Sequence, residues 1–186
     1  MSTAHGERHG SFTILLHWVT AILVLIAFIY GPGGSEARVY SAARDAKRQL
    51  HETLGMSVLM LSFIRVAWRL VDTRPAEVAL ARWMAVAAKA AHHLLYLLLF
   101  AVPFTAIAGA WLEGHPLTLL AGVTIGPWIA ESHAAGTVVA EVHTWLGDAI
   151  LWVAGAHAAA GLFHHFVLRD GTLRAMLPRW LAGRRS

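Results

Sequence analysis

The chain has 186 residues, of which 57% are hydrophobic and 14% charged, and its mean hydropathy is +0.55. A globular surface carries about 25% charge, so these values exclude an ordinary soluble domain. The net charge of +4 comes with no separate basic domain, which excludes a nucleic-acid binder. No cysteine is present, so disulfides, thiolate catalysis, iron–sulfur clusters and Cys-ligated zinc are excluded too.

Four apolar runs, at about 12–31, 49–71, 91–112 and 138–167, each reach the roughly 20 helical residues that span a bilayer. They predict an all-α integral membrane four-helix bundle in a single domain over residues 1–186. Ser11 can cap the first helix, and "GPGG" stops it. That run is longer than a signal-peptide core and lacks a small-x-small site behind it, so it reads as a retained span. The second helix starts near Lys47. Before the third, "DTRPAEVALARWMAVAAKAAHH" is an amphipathic approach with Trp83 at interfacial height. Pro103 predicts a kink near residues 99–103. The stretch from Glu113 to Gly136 is long for a loop and is expected to carry a short surface helix or a partner contact. The tail, about 168–186, reads as a basic interfacial segment against anionic lipid. Most of the eight tryptophans fall near span ends, as an aromatic belt would.

Lysine and arginine set the orientation. Arg8, Arg65, Arg69, Arg74, Arg82, Lys89, Arg169, Arg174, Arg179, Arg184 and Arg185 lie on one side, 11 in all. Only Arg38, Arg44, Lys47 and Arg48 lie on the other. The positive-inside rule then places both termini in the cytoplasm.

Twelve histidines is a large number for such a chain. His5 and His9 read as a solvated tail, and His115 and His133 fall in the outer loop. His92, His93, His164 and His165 lie near the cytoplasmic interface. His17, His51, His143 and His157 lie in the spans, where an ionisable side chain points to function. His143 and His157 are 14 residues apart, so they share one helix face about 21 Å apart along the axis. Between them that face shows Gly147, Ile150 and Ala154, with Gly161 beyond. Such a stripe lets helices approach closely, or it leaves room for a flat cofactor.

Gly55, Gly147 and Gly161 each follow a histidine by four positions, and Ala21 follows His17 likewise. This offset favours the cofactor: a haem edge fits beside the imidazole that binds its iron, whereas zinc needs no such clearance. The second and fourth helices both run inward, so His51 and His143 share the outer depth. His17, on the outward-running first helix, pairs with His157 on the inner side. Two bis-histidine sites result, a ligation suited to electron transfer. Arg65 lies 14 residues after His51 at about the inner depth, either pairing with a haem propionate or snorkelling to the interface. Glu52 and Asp148 sit within a turn of a ligand, close enough to bond its imidazole Nδ1, but adjacency in sequence points them off its face, which favours the lipid interface.

With these residues placed, the chain resembles the bacterial cytochrome b561 family, and its small superoxide-oxidase-like members in particular. The matching segments are "LLHW", "LHETLGMSVLMLSFIRVAWRL", "HHLLYLLLFAVP", "VHTWLGDAILWVAGAHAAAGLFHHF" and "RDGTLRAMLP". The resemblance implies two haem b groups between the helices, with His17, His51, His143 and His157 as axial ligands. It also implies a multi-pass protein of the bacterial inner membrane with ubiquinone as redox partner. Superoxide would then be oxidised at the periplasmic face, steered by Arg38, Arg44, Lys47 and Arg48. The alternative is a cytochrome subunit serving a periplasmic protein donor, a dehydrogenase or hydrogenase, docked on residues 113–136. A histidine-lined divalent-metal transporter is a remote third reading, because Glu52, Glu141 and Asp148 all sit near outer ends.

Overall fold

Apolar side chains cover the outside of this chain, and few are hidden inside it. The computed structural model describes residues 8–33, 36–72 and 80–178. Four helices are long and apolar enough to cross a membrane. They are α1 (Ser11–Tyr30), α3 (Asp45–Val71), α4 (Arg82–Leu112) and α5 (His133–Phe163). Trp152 is 80% exposed and Leu70 83%, which a bilayer accommodates and water does not. Between α1 and α3 lie α2 (Glu36–Val39) and a 3-10 turn at Ala42–Arg44, and after α5 come a π-helical turn at His164–Leu168 and α6 (Thr172–Met176).

Helix α1 packs against α3, α4 packs most extensively against α5, and α3 meets α4 to join the pairs. The α4–α5 seam relies on small residues. A Cβ on Gly109 would touch the Ala140 backbone at 3.4 Å, and one on Gly136 would lie 2.6 Å from Glu113 Cγ and 3.2 Å from the Leu112 carbonyl carbon. The core is a thin layer of Val58, Leu98, Leu99 and Ile150, with Leu23, Val24, Leu146 and Val153 packed against it. Polar groups inside close on their own helix: Thr20 Oγ1 donates to Leu16 O at 2.6 Å, and Ser62 Oγ to Val58 O at 2.7 Å.

Several boundaries lie away from the apolar runs. Helix α4 begins at Arg82 rather than near 91, and α5 at His133 rather than near 138. Both extensions are amphipathic or mixed in composition, so a run of apolar residues undercounts the helix. Gly10, not Ser11, takes the N-cap of α1, and α4 continues through Pro103. Between α4 and α5 lies no surface α-helix. A two-stranded antiparallel ladder forms there, β1 (Leu117–Thr118) with β2 (Thr124–Ile125), around a 3-10 turn at Leu120–Gly122. Gly126 follows β2 at φ +71°, where a Cβ would strike the Trp111 ring at 2.5 Å. Arg74, His5 and the tail beyond residue 178, with Arg179, Arg184 and Arg185, lie outside the described residues.

Candidate functional site: two facing histidine pairs

Parallel α3 and α5 bring His51 and His143 together, their ring centroids 6.1 Å apart and their planes 81° apart. At the other end, His17 of α1 faces His157 of α5 at 6.2 Å and 72°. A heptad step separates each histidine from the core layer. Val24, Val58 and Ile150 lie seven residues from His17, His51 and His143 respectively, and all belong to the apolar layer or pack on it. The two pairs are therefore separate tiers with an oily layer between.

The outer pair is oriented by backbone. His51 Nδ1 lies 2.8 Å from Ala27 O, and His143 Nδ1 lies 2.9 Å from Val102 O. A carbonyl can only accept, so both imidazoles donate from Nδ1 and leave Nε2 with its lone pair. The acceptors are local consequences of sequence. Ala27 lies in the last turn of α1, whose carbonyls have no partner within the helix. Val102 lies inside α4, and its carbonyl takes side-chain donors besides the helix ladder. Thr105 Oγ1 reaches Ala101 O at 2.8 Å and Val102 O at 2.9 Å.

A haem fits between these pairs. Each metal–imidazole bond is about 2 Å, and the nitrogen lies about 1 Å from its ring centre, so an axial pair sets the centroids roughly 6 Å apart. Both measured separations match that. A Cβ added to Gly55 or Gly147 would meet nothing within 4 Å, so the offset glycines of the outer pair border open space. Among the described residues no three His, Asp or Glu side chains group as a chelate. Two imidazoles alone hold a bare ion poorly, but they complete the coordination of a metal already bound in a macrocycle.

Gly161 behaves differently from the other two. Its added Cβ would contact Leu173 Cδ1 of α6 at 3.8 Å, so its clearance receives a side chain from the fold-back of the tail. Arg65 is half-buried, with its guanidinium 5.6 Å from the Tyr96 ring centroid, and within electrostatic reach of His17 and His157. His92 is a residue that sequence reasoning left at the interface. Its ring stands 5.2 Å from that of His157. Only the neighbouring α4–α5 seam brings it there, and no spacing within α4 signals it.

The outer basic cluster divides. Arg38 is exposed, and Arg44 and Lys47 are half-buried. Arg48 is only 8% exposed. It pairs with Asp45, and with Glu52 at 2.8 Å, under the Tyr40 ring at 5.1 Å. Two carboxylates cancel its charge, so Arg48 adds nothing to a surface field. Glu52 is largely buried, and its other oxygen accepts from Thr118 N at 2.5 Å. That bond, with Thr53 Oγ1 accepting from Leu120 N at 2.9 Å, ties the outer hairpin onto α3. His115 closes the same assembly, stacked on Tyr40 at 3.5 Å and bonded to Glu36 at 2.8 Å.

The sequence matches the family model for prokaryotic cytochrome b561 over residues 8–179. It is similar to cytochrome b561 homolog 2 of Escherichia coli (strain K12), 28% identical over 92% of this chain and 92% of that one. It is also similar to a probable superoxide oxidase CybB of Yersinia pestis, 28% identical over 93% of this chain and 97% of that one. A cytochrome b562 of Cereibacter sphaeroides is 34% identical over 89% of this chain and 93% of that one. Such a family implies haem b, electron transport and a multi-pass place in the bacterial inner membrane. The chain is a member of the prokaryotic cytochrome b561 family.

Proposed function

We propose that this chain oxidises superoxide at the periplasmic face and reduces ubiquinone, as a di-haem b protein with both termini in the cytoplasm. In this reading His51 and His143 hold the periplasmic-side haem, and His17 and His157 the cytoplasmic-side one. When bound, the two groups would supply one-electron carriers, each held by a pair of these imidazoles. The observation that carries the reading is the pairing itself, with facing rings 6.1 and 6.2 Å apart in two tiers along α5.

The residues of this chain then have distinct tasks. Ala27 and Val102 carbonyls hold the outer imidazoles in one tautomer and orientation, as an acceptor behind a ligand histidine does. Gly55 and Gly147 keep the adjoining turn clear. Arg65 supplies a positive charge beside the inner pair, where it can meet a propionate. Arg38, Arg44 and Lys47 provide the outer field that steers a small anion. The overall reaction balances when two superoxide anions lose one electron each, giving two molecules of oxygen, and one quinone takes up two electrons and two protons.

Rapid mixing of the purified protein with superoxide and a short-chain ubiquinone tests this. Quinol formation well above the protein-free rate is the expected result. A rate equal to that control would remove superoxide as donor and favour the second reading, a cytochrome subunit fed by a protein. One observation favours that reading: the outer segment exposes Leu120, Val123, Trp128 and Ile129, with Trp128 76% exposed, an apolar patch that a partner would cover.

A further inference from the structure

The cytoplasm-side end of α5 does not stop as a helix usually does. It widens into the π-helical turn His164–Leu168 and ends on Arg169 at φ 54°, ψ 34°. Single π-turns concentrate at functional sites. Left-handed backbone disfavours any residue with a Cβ, and glycine is the residue that ends such a turn cheaply. Yet the glycine of this segment, Gly171, occupies an ordinary right-handed position at φ −83°. The chain therefore keeps a long cationic side chain at a position where losing it would relax the backbone.

That side chain helps to line a cleft of about 320 Å³ formed by His165, Phe166, Arg169, Asp170 and Arg174. The one carboxylate in it is already committed. Asp170 Oδ2 lies 2.5 Å from His164 Nδ1, and Oδ1 accepts from Thr172 N at 2.9 Å. Burial alone would push the Asp170 carboxyl up, but these hydrogen bonds outweigh it and hold it below its ordinary value. Among the described residues neither Arg169 nor Arg174 has a carboxylate within 4 Å, and both are exposed. The cleft is also held in place. Trp18 Nε1 donates to Met176 O at 2.8 Å, His9 N to Ala175 O at 3.3 Å, and Arg8 to Leu177 O.

We infer that this cleft binds the phosphate of an anionic phospholipid headgroup, through the guanidinium groups of Arg169 and Arg174. Guanidinium forks match phosphate oxygens in geometry as well as charge. Basic pockets at span ends take anionic headgroups. A lipid, rather than free phosphate, is the source because the cleft opens beside Phe166, Val167 and Leu168, which are 68%, 62% and 42% exposed. Acyl chains lie along such a surface while the headgroup turns in to the cations.

Native mass spectrometry of the full chain in detergent tests this, titrating phosphatidylglycerol against phosphatidylcholine, with inorganic phosphate as competitor. Phosphatidylglycerol is expected to bind at least about ten-fold tighter than phosphatidylcholine and to resist millimolar inorganic phosphate. Arg169→Gln with Arg174→Gln should abolish that preference, while Arg38→Gln with Arg44→Gln, an equal charge loss on the other side, should keep it. Arg169→Gly separates binding from folding: it should raise thermal stability by relieving the left-handed residue and still weaken phosphatidylglycerol. Three results would overturn the inference: equal binding of the two lipids, an unchanged preference in the double variant, or displacement by inorganic phosphate, which would assign the cleft to the free ion.

Discussion

Each histidine in the two pairs draws its meaning from what stands behind and beside it. His143 is held by the Val102 carbonyl and His51 by that of Ala27, so removing either imidazole leaves its partner oriented but single. His143→Ala is expected to lower the haem content of the purified protein by about half, read as pyridine haemochrome per chain, because one tier of a two-tier arrangement loses an axial ligand. Gly147 makes a sharper case, since its mutation leaves every ligand intact. A side chain there meets nothing within 4 Å of its Cβ, so Gly147→Leu should leave helicity and expression unchanged while outer-tier haem is lost. Retention of full haem content in Gly147→Leu would show that the opening is lipid-facing and unrelated to a cofactor. These glycines were legible in the sequence through their spacing of four from a histidine. Gly161 shares that spacing, yet Leu173 of α6 fills its clearance. Local spacing carries no information about a segment that folds back from elsewhere.

The helices were legible by a different route, because about twenty apolar residues in a row have few stable fates other than a span. Their ends were not. The extensions of α4 to Arg82 and of α5 to His133 are polar enough to leave the apolar window while remaining good helix. The outer hairpin was hidden for a related reason. Its ties are single long-range bonds, from Glu52 to Thr118 and from Thr53 to Leu120, made by residues whose own helix gives no hint of the partner. Arg48 shows the cost of counting charges without positions, since Asp45 and Glu52 neutralise it. At the end of α5, the fold-back depends on Asp170 bridging His164 and Thr172. Its carboxyl is held below the ordinary value, so its stabilising contribution is present above the unfolded pKa of about 4. That contribution disappears as pH falls through the lower folded value. Asp170→Asn should therefore destabilise this end by about 1–2 kcal/mol near neutrality. The difference from the unaltered protein should shrink at low pH. Hydrogen exchange of residues 164–176 as a function of pH measures it.

On the scale of the whole molecule, the chain reads as an apolar exterior built around two polar tiers, with Val24, Val58 and Ile150 between them. Membership of the prokaryotic cytochrome b561 family accounts for the bundle, the haem chemistry and the inner-membrane location. The fit of facing imidazoles accounts for where that chemistry would sit. The donor was less legible, because steering depends on a few exposed cations and docking on an exposed loop, and this chain has both Arg38 and Trp128 exposed on that side. The claim on which everything else depends is that both histidine pairs are axial ligand pairs. An absorption spectrum of the purified, dithionite-reduced protein, recorded before and after carbon monoxide, tests it most directly. The account predicts the sharp bands of low-spin haem b, about two haems per chain, and no change on adding carbon monoxide, since both axial positions are filled. A protein with no haem, with one, or with a spectrum shifted by carbon monoxide would contradict it.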